Sequence, residues 1–216
     1  MRGATGMELL GWMEIEKLSR VVLKEIGTLG PRGTSSETAA TLLWDKLSEL
    51  PSEPQISLYE TYEGAGEALL DRSISHFIVA NAYRGVNEFY MDTRLALAGA
   101  FIMDTPLYGL AKPRGNDDLP LAPSIATHPA PEPLIAQLLP ARFKPGKVLI
   151  MNSTSAAAMA ASGGFSDLAL TTAPSVENYG LEFISRTRPI RMVWSVFVID
   201  DTADDIRKED PDVVPR

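Results

Sequence analysis

The sequence predicts an α/β fold of two lobes in which strands alternate with helices. Apolar runs of strand length recur along the chain, and most lead through a short turn into a helical pattern. At least four of these turns carry small hydroxyl or amide side chains. A loop rich in proline, glycine, asparagine and aspartate, residues 113–123, lies between the halves. We therefore expect one domain over residues 25–199, with lobes of about 25–104 and 105–199 that face a cleft.

Composition narrows the class of protein. The 216 residues are 45% hydrophobic, which is enough to bury a core, and no apolar run is long enough to span a bilayer. The formal charge of −8 and the lack of a basic stripe argue against a nucleic acid partner. The absence of cysteine excludes thiolate chemistry and suits a cytoplasmic protein. The two histidines are too few for a histidine-rich metal site.

The ends of the chain differ from its body. Residues 1–24 mix apolar and charged side chains at helical spacing and predict an amphipathic helix. Residues 200–216 are charged and contain proline, so we expect a disordered acidic tail.

The elements between the ends follow from periodicity and from turn residues. Strands are predicted at 22–29, 56–62, 76–80, 95–103, 106–112, 124–126, 147–150, 168–170, 181–184 and 192–199. Helices are predicted at 37–50, 63–70, 133–139, 156–161 and 171–179, and residues 86–90 are expected to be helical or irregular. Repeated strand-to-helix steps predict that the sheets are parallel.

The stretch from residue 26 to residue 44 is the clearest strand, tight turn and helix. Gly33 suits a tight turn, Thr34, Ser35 and Ser36 provide N-cap oxygens, and Glu37 suits a first helical turn. A helix N-terminus at the end of a strand can bind an anion, although the same residues also occur where a helix is merely capped. Similar turns follow at 81–85, 152–155 and 171–175. Together they predict a small ligand with several negative charges, while no turn matches a nucleotide-binding motif.

Four segments, in this order, resemble the prephenate dehydratase family: Leu29-Gly30-Pro31-Arg32-Gly33-Thr34-Ser35-Ser36-Glu37-Thr38-Ala39-Ala40, Thr127-His128-Pro129, Asn152-Ser153-Thr154-Ser155-Ala156-Ala157 and Asn178-Tyr179-Gly180-Leu181-Glu182. The resemblance covers roughly residues 26–199. It implies a two-lobed fold like that of type II periplasmic binding proteins, with prephenate in the cleft. It also implies that no metal or organic cofactor is needed.

The departures from the dehydratase pattern point to a different reaction. Dehydratases carry Pro-Ile-Glu-Asn-Ser after the strand that corresponds to 76–80, where this chain has Val79-Ala80-Asn81-Ala82-Tyr83. Their Thr-Arg-Phe strand, whose Thr is thought to protonate the departing hydroxyl, aligns with Trp194-Ser195-Val196. Ala130 replaces the Gln that follows His-Pro. These replacements resemble the prephenate decarboxylases of bacilysin-type and cyclohexenyl amino acid pathways.

That resemblance implies a reaction that can be argued from the substrate. Loss of carbon dioxide pushes electrons into the ring diene of prephenate. If an acid protonates the ring hydroxyl, water leaves and the ring becomes aromatic. Without that acid, a ring carbon takes the proton and the product is dihydro-4-hydroxyphenylpyruvate. A dehydratase with another acid and a non-catalytic binding module of the same fold are the alternative functions.

Residue roles follow from these motifs. Tyr83 and His128 are the predicted proton donors, although a His before Pro also serves to fix a loop. His76, at the start of a strand, is expected to be structural. The predicted substrate-binding residues are Gly33, Thr34, Ser35, Ser36, Arg84, Thr127, Ser153, Thr154, Ser155, Thr171, Arg191 and Trp194. We expect prephenate as the small-molecule partner, neither nucleic acid nor membrane, and a homodimer as the assembly to test.

Overall fold

The computed structural model describes residues 9–14, 21–48 and 52–201. The described elements, in chain order, are β1 (Leu9–Glu14), β2 (Ile26–Leu29), α1 (Ser35–Leu47), β3 (Ile56–Tyr59), α2 (Tyr62–Leu70), β4 (His76–Ala80), α3 (Val86–Met91), β5 (Leu95–Asp104), β6 (Tyr108–Pro113), β7 (Ile125–Thr127), a 3-10 turn (Glu132–Leu134), α4 (Ile135–Leu138), β8 (Val148–Ile150), α5 (Thr154–Ser162), β9 (Leu168–Thr172), α6 (Ala173–Asn178), β10 (Leu181–Phe183) and β11 (Arg191–Ile199). The predicted acidic tail lies outside the described residues from position 202 onward.

The chain forms two compact units, which we call unit 1 and unit 2. Among the described residues, unit 1 contains Gly30–Thr38 and Met103–Met192, and unit 2 contains residues of Leu9–Leu29 and Ala39–Ile102 together with 193–201. The units therefore differ from the sequential lobes 25–104 and 105–199. The opening motif groups with the later part of the chain, and most of β11 groups with the earlier part.

Each unit has its own sheet among the described strands. Unit 2 has the strand order β1-β5-β11-β4-β2-β3, and unit 1 has the order β10-β6-β9-β7-β8. β2 is parallel to β3 and β4, and β7 is parallel to β8 and β9. However, β11 is antiparallel to β4, and β6 is antiparallel to β9 and β10. The prediction of parallel sheets is therefore wrong in part, because long-range pairing of β6 and β11 makes both sheets mixed.

The predicted N-terminal helix is also corrected where it is described. Leu9–Glu14 forms strand β1 at one edge of the unit 2 sheet. The Trp12 ring packs on Phe101 with the ring centroids 6.2 Å apart. Pairing with the sheet overrides the helical spacing of the apolar residues, as tertiary context commonly does. Residues 1–8 and 15–20 of that prediction lie outside the described part of the chain.

The cores differ in the size of their side chains. In unit 2, aromatic rings fill the space between sheet and helices, with the centroids of Phe77 and Phe89 4.8 Å apart and those of Phe77 and Phe197 6.0 Å apart. In unit 1, leucine and isoleucine side chains form one part of the core, and in the other part the alanines of α5 pack on alanines of β7 and β9. Because these side chains are small, the α5 backbone lies close to the sheet. Each helix in the described ranges is too short or too polar to cross a membrane.

Candidate functional site

The turn before α1 is fixed by hydroxyl groups of unit 1. Ser155 Oγ donates to the carbonyl of Arg32 at 3.1 Å. Thr172 Oγ1 and Ser175 Oγ donate to the carbonyl of Gly33 at 3.0 and 3.2 Å. Gly33 has a φ of +82°, and a Cβ there would lie 3.3 Å from Ser175 Oγ. A glycine is therefore required both by the backbone conformation and by the close approach of α6.

The start of α1 has a reciprocal cap. Glu37 N donates to Thr34 Oγ1 at 3.3 Å, and Gly33 N donates to Glu37 Oε2 at 2.7 Å. This resembles a capping box, in which a hydroxyl and a carboxylate three residues apart satisfy the first N–H groups. Ser35 and Ser36 are buried just after it. Thr34 thus stabilises the helix end whether or not it also contacts a ligand.

A second hydroxyl-rich end belongs to α5. Ser153 is its N-cap and accepts a hydrogen bond from Ala156 N at 2.9 Å. Thr171 Oγ1 donates to the carbonyl of Thr154 at 2.7 Å. These side chains are buried and bond to the backbone, as does Ser155. The N–H groups in the first turn of a helix have no acceptor within that helix, and the backbone at the start of α5 therefore has the donors that suit an anion.

Tyr108 of β6 joins these helix ends within unit 1. Its hydroxyl lies 3.1 Å from Ser35 Oγ, and the side chain is buried. Burial raises the pKa of Tyr108, while its hydrogen bonds with Ser35 and Thr154 act in the opposite direction. The predicted set Thr34, Ser35, Ser36, Ser153, Thr154, Ser155 and Thr171 is therefore brought together in unit 1, together with Tyr108, Thr172 and Ser175, which sequence reasoning missed. We call these ten residues the hydroxyl cluster.

The histidine motif of unit 1 is held by its own loop. Ala130 N donates to His128 Nδ1 at 3.3 Å, which leaves the proton of the neutral imidazole on Nε2. Burial lowers the pKa of His128. Thr127 is buried and its Oγ1 donates to the carbonyl of His128 at 3.1 Å. A neutral imidazole is a weaker proton donor than an imidazolium, so these contacts suit a loop-fixing role.

Tyr83 lies in unit 2, just after β4. Its hydroxyl donates to Glu63 Oε1 of α2, and its ring packs on Tyr62 with the centroids 4.9 Å apart. Burial, followed by the hydrogen bond and the charge of Glu63, raises the pKa of Tyr83 to about 12. Transfer of the Tyr83 proton would leave a phenolate beside a carboxylate. These contacts weaken Tyr83 as an acid.

The two predicted arginines differ in their environment. Arg191 binds Asp104 through two hydrogen bonds of 2.9 Å, and this pair is largely exposed. Arg84 is exposed and has no hydrogen bond or ion pair with the described residues. Arg191 thus already has the carboxylate partner that its geometry favours, whereas Arg84 retains its donors.

Trp194 and Ser195 occupy neighbouring positions of β11, paired with Ala80 and Val79 of β4. Trp194 is fully buried, and its Nε1 has no hydrogen-bond partner in the described part of the chain. Ser195 is also fully buried, and its Oγ donates to Asn81 Oδ1 at 2.8 Å. The two departures from the dehydratase pattern, after β4 and in β11, are therefore in direct contact.

His76 has the structural position expected for it. The side chain is 1% exposed, and its Nδ1 lies 2.9 Å from Ser75 Oγ. Burial lowers the pKa of His76 to about 4, so the imidazole is neutral near pH 7. Within residues 9–14, 21–48 and 52–201, no group of three or more metal-ligating side chains is placed to hold an ion.

Curated proteins similar to this chain are prephenate decarboxylases. The chain is 41% identical to a prephenate decarboxylase of Planktothrix agardhii over 175 residues, covering 80% of this chain and 86% of that protein. It is 37% identical to a prephenate decarboxylase of Bacillus subtilis over 196 residues, covering 88% and 93%. No protein-family model matches the chain.

Solved structures support the fold. A prephenate dehydratase from Arthrobacter aurescens in complex with L-Phe superposes with a TM-score of 0.63 at 13% identity, covering 82% of this chain and 61% of that one. A dehydratase from Staphylococcus aureus gives 0.52 at 18% identity, covering 81% and 67%. A periplasmic domain of BvgS from Bordetella pertussis gives 0.50 at 16% identity, covering 85% and 83%.

These likenesses differ in what they establish. The chain spans about three fifths of the Arthrobacter dehydratase, and identities below one fifth indicate a shared fold only. They are consistent with the predicted α/β class, that of prephenate dehydratases and periplasmic binding proteins. The decarboxylase relatives are much more similar in sequence and align over most of their own length. The chain belongs to the prephenate decarboxylase family.

Proposed function

We propose that the protein is a carboxy-lyase that removes carbon dioxide from prephenate and leaves the ring non-aromatic. The observation that carries the proposal is the replacement of the dehydratase Thr-Arg pair by Trp194-Ser195, in a chain whose curated relatives are prephenate decarboxylases. An indole cannot act as the acid for a departing hydroxyl. The Ser195 hydroxyl is buried and donates to Asn81.

The chemistry then follows one course. The bond between the quaternary ring carbon and its carboxylate breaks, and the electron pair moves into the adjacent double bond. A proton is added to the ring carbon next to the carbinol carbon, and the hydroxyl stays. The product is dihydro-4-hydroxyphenylpyruvate, which suits the biosynthesis of a non-proteinogenic amino acid in secondary metabolism.

Unit 1 is proposed to bind the negative charge of the substrate. Two helix N-termini, those of α1 and α5, lie in the hydroxyl cluster, and a carboxylate is stabilised by the N–H groups and the dipole at such an end. Gly33 lets the backbone turn closely at the first of these ends. Arg84, which belongs to unit 2, also has the donors to pair with a carboxylate through two hydrogen bonds.

The experiment is an incubation of the purified protein with prephenate, followed by mass spectrometry and ultraviolet spectra of the product. Loss of carbon dioxide alone supports the proposal. Loss of both carbon dioxide and water, giving phenylpyruvate, would make the protein a dehydratase. Binding of prephenate without turnover would make it a binding module. An incubation without protein corrects for spontaneous breakdown.

A cytoplasmic location and a homodimer are further parts of the proposal. The absence of cysteine suits a reducing compartment, where disulfides do not form. Light scattering coupled to size exclusion measures the assembly directly. A mass near 23.5 kDa would exclude the homodimer.

A further inference from the structure

Three polar side chains of unit 2 form a closed ring of hydrogen bonds. Asn81 follows β4, Tyr90 lies on α3 and Ser195 lies on β11. Asn81 Nδ2 donates to the Tyr90 hydroxyl at 3.1 Å, the Tyr90 hydroxyl bonds with Ser195 Oγ, and Ser195 Oγ donates to Asn81 Oδ1 at 2.8 Å. We call these residues the Asn81–Tyr90–Ser195 ring.

The network fixes where the protons lie. Ser195 has one hydroxyl proton, and it is donated to Asn81 Oδ1. The bond between Tyr90 and Ser195 must then use the phenolic proton, with Ser195 Oγ as the acceptor. The phenolic oxygen itself accepts from Asn81. Tyr90 therefore carries a held proton and has neutral hydrogen-bonding groups around its oxygen.

The Asn81–Tyr90–Ser195 ring joins a buried side chain, Ser195, to an exposed one, Tyr90. Ser195 is fully buried, and the Tyr90 ring packs against Phe197 with the centroids 5.1 Å apart. Asn81 is tied to β11 a second time, because its N–H donates to the carbonyl of Val193 at 3.0 Å. Tyr90 is nevertheless 38% exposed. Residues beyond the carboxyl ends of parallel strands, such as Asn81 after β4, are where α/β sheets bind ligands.

The neighbouring phenol, Tyr83, has the opposite environment. Its proton is shared with the Glu63 carboxylate, which disfavours the phenolate. A Tyr90 phenolate would instead accept hydrogen bonds from Asn81 Nδ2 and, after rotation of its hydroxyl, from Ser195. Two donated hydrogen bonds stabilise an oxyanion. The Asn81–Tyr90–Ser195 ring thus places two hydrogen-bond donors beside the Tyr90 oxygen.

Resting on the proposed function, we propose that Tyr90 is the catalytic residue that protonates the ring carbon, and that Asn81 and Ser195 are its positioning residues. The carbon–carbon bond to the ring carboxylate breaks and carbon dioxide leaves with no charge. The electron pair of the broken bond moves into the adjacent ring double bond. The ring carbon next to the carbinol carbon then takes the proton from Tyr90. The resulting phenolate recovers a proton from water, so one proton is consumed for each carbon dioxide released.

The test determines on which face of the substrate ring the carbon is protonated. Turnover in D₂O places one deuterium on the new CH₂ group, and NMR of the product shows on which face. We expect wild type and Tyr83→Phe to label a single face. Tyr90→Phe is expected to lower kcat about a hundredfold with little change in KM, and to label both faces because solvent then donates. Ser195→Ala is expected to lower kcat more than KM while labelling a single face.

The results distinguish a failure of this proposal from a failure of the proposed function. If wild type releases no carbon dioxide, the proposed function fails first. If wild type labels both faces, or if Tyr90→Phe labels a single face whatever its kcat, Tyr90 is not the donor. If Tyr83→Phe labels both faces, the role passes to Tyr83. Thermal unfolding of every variant checks whether the fold is retained.

Discussion

Units 1 and 2 use their polar side chains in different ways. In unit 1, the hydroxyls of Ser155, Thr171, Thr172 and Ser175 donate mainly to backbone carbonyls. They hold the turn before α1 and the first turn of α5 in place. In unit 2, the polar side chains after β4 bond to one another, in the Asn81–Tyr90–Ser195 ring and in the pair of Tyr83 with Glu63.

This difference separates two kinds of function. Hydroxyls that bond to the backbone shape helix ends, and helix ends bind charge through their amides. Side chains that bond to each other control where a proton resides, because each partner favours or disfavours an ionised form. Anion binding at helix ends is therefore expected to depend on the backbone of unit 1, and proton transfer on the side chains of unit 2. The following predictions test that division.

The largest expected effect is a response of unit 2 to acid. The folded pKa of His76 is lowered to about 4, below the unfolded value near 6.5. Between these values the unfolded chain binds the extra proton, so the free energy of unfolding is highest above pH 6.5 and falls as the pH drops. The loss at pH 4 is about 3 kcal/mol. Denaturant unfolding of wild type and His76→Gln between pH 4 and 7 measures this loss.

His76→Gln is expected to flatten the pH dependence, even if it lowers the free energy of unfolding at every pH. Hydrogen exchange should show β4 losing protection in acid before β9 of unit 1 does. Equal slopes for wild type and variant would remove His76 as the cause.

A second prediction compares one buried threonine in each unit. Thr172 Oγ1 donates to the carbonyl of Gly33 at 3.0 Å, and Thr28 Oγ1 donates to the carbonyl of Ile78 at 2.9 Å. Thr172→Val and Thr28→Val should each lower the free energy of unfolding by about 1 kcal/mol, because a hydrogen bond is lost with the shape retained. Only Thr172→Val should lower kcat/KM, because only it loosens the turn before α1.

Thr28→Val is the matched control, since both threonines are fully buried and bond to a carbonyl. Equal losses of kcat/KM in the two variants would mean that global stability, and not the turn, sets the activity.

The third prediction concerns the helix ends themselves. Thr34→Val and Thr154→Val are each expected to reduce kcat/KM by roughly fivefold, corresponding to about 1 kcal/mol at each N-terminus. The effect should fall on KM, because these ends bind charge that is present before and after decarboxylation. Steady-state kinetics with prephenate and thermal unfolding of each variant provide the measurement. If a variant kept the wild-type kcat/KM, the threonine that it replaces would serve only as a helix cap.

The smallest effect is expected at Arg191. Because its guanidinium already pairs with Asp104 on the surface, Arg191→Gln should leave both kcat/KM and the unfolding midpoint almost unchanged. Arg84→Gln, which alters an arginine without such a partner, should raise KM. If Arg191→Gln raised KM and Arg84→Gln did not, binding of the substrate carboxylate would be assigned to Arg191 instead.

Much of the local structure was predictable from the sequence. Glycine, proline and hydroxyl residues marked the turns, and apolar runs marked strands at 76–80 and 95–103, where the structure has His76–Ala80 and Leu95–Asp104. The cap at Thr34 and Glu37 was predictable, because the groups involved are three residues apart. The ordered motifs also led to the family, which the decarboxylase relatives confirm.

The tertiary structure decided what depends on residues far apart in the chain. β1 is a strand because it pairs with the edge of a sheet, and the turn at Gly30–Thr38 belongs to unit 1 because Ser155, Thr172 and Ser175 bind its carbonyls. The ring of Asn81, Tyr90 and Ser195 joins residues up to 114 positions apart. Periodicity records only the neighbours within a few residues, whereas the fold decides that Tyr83 bonds to Glu63 and Tyr90 bonds to Ser195.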